Sequence, residues 1–310
     1  MPQGKDDIVG HLLGRLRPKA KSLIITVYGD AISHHGGNAG LGSVIALVER
    51  LGVNERMVRT SVFRLAKEGW LLSRQMGRRS YYRLTEVGRR RFDAAHVRVY
   101  RHAQRPWDQG WTMVIPGAAT LDAETRETLR RDLGWLGFGQ LSSGGMMLHP
   151  DPDEVALREL LADVGHRALV VRGPAAAWVA PEALAEVIGA CWDLDRLAAD
   201  YAGFLDTFRP VWQSLKDAGS PDPELCFAVR TLLMHGYRRA LLRDPMLPDE
   251  LLPADWPGTA ARALCRNLYR LVEGAAERHV MATLETAEGP VPEAHPSYFL
   301  RFGGLRDGAP

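Results

Sequence analysis

LGSVIALVERLGVNERMVRTSVFRLAKEGWLLSRQMGRRSYYRL, residues 41–84, decides how this chain is read. Val44, Leu47, Val48 and Leu51 recur at helical spacing, so the first part is a helix with one apolar face. Gly52 follows where a helix stops in the left-handed region, and Asn54 stands where a side-chain oxygen can cap the next helix. In that second helix Val58, Val62 and Leu65 share one side and are expected to bury. Arg56, Thr60, Phe63 and Lys67 share the opposite side, flanked by Arg59 and Arg64. Gly69 closes the helix. Residues 71–75 and 80–84 then read as strands joined by Met76-Gly77-Arg78-Arg79, with Gly77 free to take positive φ.

Helix, turn, basic helix and two-stranded ribbon, in that order, form the pattern of a winged helix-turn-helix. A helix packed through one face and carrying guanidinium groups on the other suits the major groove, where Arg bonds guanine bidentately and Thr meets a thymine methyl. Arg78 and Arg79 at the ribbon tip can reach a phosphate or a narrow minor groove. The expected DNA-reading set is Asn54, Arg56, Arg59, Thr60, Phe63, Arg64, Lys67, Arg78 and Arg79. A solvated basic helix followed by an ordinary hairpin would show the same local pattern.

Charge supports the first of these. The chain carries 39 Lys+Arg against 37 Asp+Glu, yet between Arg56 and Arg101 there are 13 basic and 3 acidic residues, a net of +10. The remainder is left with 26 basic against 34 acidic residues. A basic module on an acidic body confines phosphate affinity to the module.

At 310 residues, 46% hydrophobic and 25% charged, the sequence has room for two or three ordinary domains. Residues 1–16 are charged throughout and lack a signal-peptide core. The apolar run 168–192 is interrupted by Arg172, Pro174, Pro181 and Glu182, so no membrane span is expected there. Cys191, Cys226 and Cys265 are far apart with no CxxC, which suits reduced thiols in the cytoplasm.

Past the ribbon, Thr85 can cap a helix running through Arg89, Arg90, Arg91 and Phe92 to about Ala103; its arginines either graze a DNA backbone or are solvated. Pro106 and residues 107–111 mark a boundary. Residues 111–115 read as a strand, 122–136 as an amphipathic helix, 139–141 and 146–148 as short strands around Ser142-Ser143-Gly144-Gly145, 152–164 as a helix and 168–171 as a strand. That β-α-β-β-α-β order is ferredoxin-like. Beyond Pro174 helices are expected over 184–191, 194–208, 225–242 and 260–284, and the Gly- and Pro-rich tail 287–310 is expected to wrap a surface or fray. The fold class is thus α+β and multidomain: a winged helix-turn-helix (1–103), a ferredoxin-like middle domain (104–175) and an all-α C-terminal domain (176–310).

These segments resemble the PaaX-type transcriptional repressors, regulators of phenylacetic acid breakdown in bacteria. VRTSVFRLAKEGWL (58–71) with GRRSYYRLTEVG (77–88), the stretch from Trp111-Thr112-Met113-Val114 to Leu136-Gly137-Phe138-Gly139, and LAADYAGFLDTF (197–208) with DPMLPDELLPADWPGTAARALCRNLY (244–269) carry the likeness. The resemblance implies a Cas2-like middle domain and a homodimeric repressor on a partly palindromic operator in double-stranded DNA. It also implies release when an aryl-CoA thioester, typically phenylacetyl-CoA, binds. Cas2 nucleases hold metal with an acidic residue at the end of their first strand, whereas Val114-Ile115-Pro116-Gly117 here has no carboxylate.

A CoA thioester asks for an apolar slot and cations. Tyr201, Arg209, Trp212, Arg230, Tyr237 and Arg238 are the candidate effector residues, although aromatic spacing of this kind is also what any buried helix face shows. Trp192, Phe204 and Arg239 could add to them. His34-His35-Gly36-Gly37 lacks Cys or carboxylate ligands nearby and reads as a loop, so no metal is expected. Nor is a cofactor: GxSxG, HExxH, a Lys-Ser/Thr phosphate loop and the dinucleotide fingerprint are all missing. The alternatives to an effector-controlled repressor are a metal-dependent nucleic-acid-processing enzyme and a DNA-binding scaffold without effector.

Overall fold

The computed structural model describes residues 5–100, 106–117, 121–141, 145–164, 167–176, 180–217, 219 and 222–305. In chain order the elements begin with α1 (Lys5–Leu16), α2 (Ala20–Asp30), β1 (Asn38–Gly40), α3 (Leu41–Glu49), α4 (Glu55–Lys67), β2 (Leu71–Met76), β3 (Arg79–Leu84) and α5 (Glu86–Val99). Then come β4 (Gly110–Pro116), α6 (Ala123–Trp135), β5 (Gly139–Gln140), β6 (Met147–His149), α7 (Glu154–Asp163) and β7 (Ala168–Pro174). The last are α8 (Pro181–Cys191), α9 (Leu194–Lys216), α10 (Pro223–Leu241) and α11 (Pro257–Thr283).

Contacts divide these into two units: Met1–Ala103 with Ala202–Leu241 and Gly258–Pro310, and Gln104–Tyr201 with Leu242–Pro257. The expected separation of residues 1–103 from the helices after 176 is therefore not the division the packing makes. The reason lies in α10. Every residue from Leu225 to Tyr237 is buried, with no polar face left over, and a helix of that kind must be surrounded. Among its neighbours are α1 and α2, whose Leu12, Leu23, Ile24 and Val27 are buried.

On the rim of this first unit, α3 and α4 form from the signals in the sequence. Gly52 takes φ 74, and Asn54 caps α4 by accepting from the Met57 N–H at 3.0 Å. Val58, Val62 and Leu65 face inward, with α2 and α3 against α4. The hairpin is one residue longer on each strand than expected, leaving the two-residue turn Gly77-Arg78. Gly77 has φ 59, the positive value that a type II′ turn needs at its first position. β1 adds a third strand through Asn38↔Arg83 and Gly40↔Tyr81.

α5 starts where Thr85 accepts from the Gly88 N–H at 2.9 Å, and the same hydroxyl donates to Gly69 O at 2.6 Å. A Cβ on Gly88 would stand 2.3 Å from Trp70 O, so α5 is fitted tightly to the end of α4. It ends at Val99 rather than near Ala103, and residues 101–105 lie outside the described ones.

The second unit holds the β-α-β-β-α-β order expected from the sequence. Its antiparallel sheet runs β5-β6-β4-β7. Alternation along β4 sends Val114 to a core with Leu129 and Leu133 of α6 and Leu157 and Leu161 of α7. The opposite face carries Trp111 and Leu148 against Ile188 of α8 and Leu247. Ser142–Gly144 of the expected turn lie outside the described residues; the Leu141 N–H still reaches Met146 O at 3.0 Å.

One helical reading needs correction. α9 runs past the expected end at 208, through Pro210, to Lys216. Pro210 and Asp206 both face solvent, so the carbonyl that proline leaves unpaired, four residues back, can bond water. Of the two alternatives for the tail, its described part packs rather than frays. Tyr298, Arg301 and Phe302 are buried, and residues 306–310 lie outside the described ones.

Candidate nucleic-acid interface

Arg56, Thr60, Phe63 and Lys67 stand in a row on the outer face of α4, all exposed, with Arg59 and Arg64 beside them. Phe63 is 66% exposed, an unusual position for an aromatic ring with no partner to cover it. Arg59 pairs with Glu55 one turn earlier at 2.6 Å. Thr60 Oγ1 donates to Arg56 O at 2.9 Å. Among the described residues no ion pair engages Arg56, Arg64, Lys67 or Arg78. Their charge therefore faces water with no internal compensation. Lys21 pairs with Glu68 at 2.5 Å, next to the C-terminus of α4.

The ribbon tip is as open. Arg78 and Arg79 are exposed, and a cleft of about 580 Å³ lies between the ribbon and the start of α3 and α4, lined by Gly42, Ser43, Arg59, Arg78 and Arg79 among others. All nine residues expected to read DNA belong to this one module. Asn54 serves it as a cap and Thr60 turns its hydroxyl onto the Arg56 carbonyl; the other seven present six cations and a ring to solvent.

The six candidate effector residues are divided between the two units. Tyr201, in the second unit, is buried with its hydroxyl on the Asp244 carboxylate. The other five belong to the first unit. Arg209 is exposed, and Trp212 is half-buried under the Lys216 ammonium at 5.2 Å. Tyr237 packs on Phe204 with ring centroids 5.5 Å apart. Arg238 donates to Thr26 Oγ1 at 3.1 Å and borders a cavity of about 20 Å³, room for a water rather than an aryl group.

Arg230 has the most unexpected surroundings. It is fully buried, 3.0 Å from Asp30 and 3.2 Å from Glu277, and donates to Tyr298 Oη at 3.0 Å. Asp30 also takes the buried Arg301 at 3.3 Å and the hydroxyls of Tyr100 and Tyr269 at 2.5 and 3.1 Å. The Arg301 guanidinium lies over the rings of Tyr100 and Tyr298 at 4.1 and 4.4 Å. Glu277 meets His35 Nε2 at 2.5 Å. Burial alone would raise the Glu277 carboxyl, but the His35 hydrogen bond and the Arg230 charge outweigh it and bring it down to about 2. Burial, reinforced by Arg301, lowers His34 to about 2 and His96 to about 4. Sequence reasoning missed Asp30, Glu277 and Arg301 altogether, and placed His35 in a loop without its partner. Among the described residues no cluster of His, Cys, Asp or Glu is arranged to hold a metal ion, and no helix is long and apolar enough to cross a membrane.

Comparison with known proteins adds what geometry alone does not. Residues 19–88 match the PaaX-like protein family, 104–176 the PaaX protein central Cas2-like domain, and 192–282 the PaaX-like protein C-terminal domain. The chain is 39% identical over 303 residues to the transcriptional repressor PaaX of Escherichia coli K12, covering 97% of this chain and 95% of that one. It is also similar to the solved structure of the uncharacterized protein Rv0674 from Mycobacterium tuberculosis, at a TM-score of 0.52 and 27% identity, over 83% of this chain and 98% of that one. With three family segments in order and a relative matched end to end, the chain belongs to the PaaX-like protein family.

Proposed function

We propose that this protein is a sequence-specific DNA-binding repressor of an aromatic, phenylacetate-type catabolic operon, released by an aryl-CoA thioester such as phenylacetyl-CoA. The observation that carries the reading is the outer face of α4: a capped, rigidly backed helix whose Arg56, Arg64 and Lys67 have no ion-pair partner among the described residues. With the two-stranded ribbon after it, the module is a winged helix-turn-helix, α4 entering the major groove and Arg78 and Arg79 flanking it. The relative named a transcriptional repressor supports regulation rather than catalysis.

On this reading residues 1–103 read DNA, 104–175 form the Cas2-like domain and 176–310 serve effector binding and dimerisation. A homodimer would set two α4 helices about one helical turn, ~34 Å, apart on a palindrome. Of the six residues chosen for an effector, Arg230 is already engaged by Asp30 and Glu277.

The test is fluorescence anisotropy with the duplex upstream of the protein's own gene and a scrambled duplex, in moderate salt and with phenylacetyl-CoA titrated in. Binding of the upstream duplex at least tenfold tighter than the scrambled one, and release by the thioester, are expected. Replacing Arg56 and Arg64 by Ala is expected to weaken upstream binding by roughly 10- to 100-fold. Equal affinity for both duplexes refutes the specific reader.

A further inference from the structure

After α11 the chain turns back onto the ribbon, and its backbone is tied down there. The Gly40 N–H donates to Glu285 O at 2.8 Å and the Glu285 N–H donates to Ser43 Oγ at 2.9 Å. Thr286 Oγ1 donates to Gly289 O at 2.8 Å, closing a tight turn. This frame holds two carboxylates against the wing. Arg79 of β3 lies 3.1 Å from Glu285, and Arg74 of β2 lies 3.7 Å from Glu288, which also accepts from Asn38 Nδ2.

Arg74 and Arg79 share one face of the ribbon, because Arg74 stands opposite Tyr81, and Met76 opposite Arg79. Glu285 lines the same cleft as Arg59, Arg78 and Arg79. Both arginines and both glutamates are about two-thirds exposed. Pairs so wet are weak in themselves, so they are poor candidates for holding the fold together. They are well suited to being exchanged.

We propose that Glu285 and Glu288 form an acidic clip that competes with DNA phosphates for the wing arginines. The clip holds down affinity for duplex of any sequence and leaves the base-facing side chains of α4 untouched. This rests on the DNA-binding reading above and adds to it a control built from a segment some 200 residues away in sequence. Sequence-independent affinity comes from phosphate contacts, and base edges are read separately. An arginine that must leave a carboxylate to meet a phosphate gains less than a free one, and the carboxylate left behind repels the backbone.

The experiment uses the full chain with Glu285→Gln, Glu288→Gln, the double variant, and Glu154→Gln as an exposed acid on α7 in the second unit. Anisotropy is read on a random-sequence duplex and on the upstream duplex over a range of salt. Each single variant is expected to tighten both duplexes about threefold and the double about tenfold, with a salt dependence steeper by roughly one to two phosphate contacts. Glu154→Gln is expected to leave binding unchanged. Equal or weaker binding by a variant with an unaltered thermal midpoint overturns the clip and makes the carboxylates struts that position the wing. Equal tightening by Glu154→Gln overturns it in favour of net charge. If no duplex binds the unaltered chain at low salt, the DNA reading fails and the clip with it; if the duplex binds and the variants change nothing, the clip alone fails.

Discussion

Asp30→Asn is the sharpest probe of how the first unit is held together. The exchange preserves shape and an acceptor for the Tyr100 and Tyr269 hydroxyls, and removes only charge. Two fully buried guanidiniums, Arg230 and Arg301, face two carboxylates, Asp30 and Glu277, so the cluster is balanced. With Asn at position 30 one buried cation is left over, and its amide can place a donor opposite Arg230 Nε, now 3.0 Å from a carboxylate oxygen. Breaking one side of a buried pair costs about 3–5 kcal/mol. A loss of that size is expected in the urea unfolding free energy of the transition that reports the first unit, followed by circular dichroism and tyrosine fluorescence. The cycle is completed with Arg301→Met, alone and combined with Asp30→Asn. Removing anion and cation together restores balance, so the double variant should be less destabilised than the sum of the singles by about 1–3 kcal/mol. A loss under about 1 kcal/mol for Asp30→Asn, or strict additivity in the cycle, refutes charge balance as the organising feature of this core.

Gly88→Ala offers a test with opposite signs built in. By helix propensity it should stabilise α5 by up to about 1 kcal/mol, but the added Cβ meets Trp70 O at 2.3 Å. We therefore expect a net loss of about 1–3 kcal/mol, read from the thermal midpoint; a rise in that midpoint contradicts the close packing of α5 on the end of α4. Acid should weaken the first unit. Burial, with nearby arginine charge, lowers His34 from 6.5 to about 2 and His96 and His235 to about 4, and Glu277 falls from 4.5 to about 2. Each group has its folded value below its unfolded one. The stability the imidazoles contribute is complete above 6.5 and lost as pH falls toward about 4 and then 2, and that from Glu277 is lost between 4.5 and about 2. Unfolding between about pH 6 and pH 4 should take up on the order of three protons, measurable from the slope of unfolding free energy against pH; a flat profile there contradicts buried neutral imidazoles.

The parts legible in the sequence are those whose cause is local. Gly52, Asn54 and the 58–62–65 spacing specify α3, its stop and α4 from within a dozen residues, and the structure places each as expected. The hairpin followed from Gly77, and the β-α-β-β-α-β order from the succession of short apolar strands and amphipathic helices; the caps Asp122 and Asp153 came to light only in the structure. The core of the first unit depends instead on partners far apart. Arg301 lies 271 residues from Asp30, in a tail whose glycines and prolines suggested only wrapping or fraying. Nothing near Arg230 in the chain announces Asp30 or Glu277, so the sequence left open whether this cation meets a phosphate or an ion-pair partner. Glu285 and Glu288 drew no reading from the sequence for the same reason, since the arginines they meet lie some 200 residues away.

This asymmetry bears on function. A side chain left unpartnered within its own chain has its position set by its own helix, and is visible in the spacing. The row Arg56, Thr60, Phe63 and Lys67 is of that kind, and it survives folding with its charges uncompensated. A side chain whose partner is internal belongs to the tertiary structure, and composition cannot tell it from a ligand-binding one. Arg230 is of that second kind. The outward row proposed to read DNA was therefore legible before the fold was known, whereas the internal partners of Arg230 were not. Effector candidates are better sought on surfaces where cations stay unpaired after folding than among the aromatic and basic residues of the helical core.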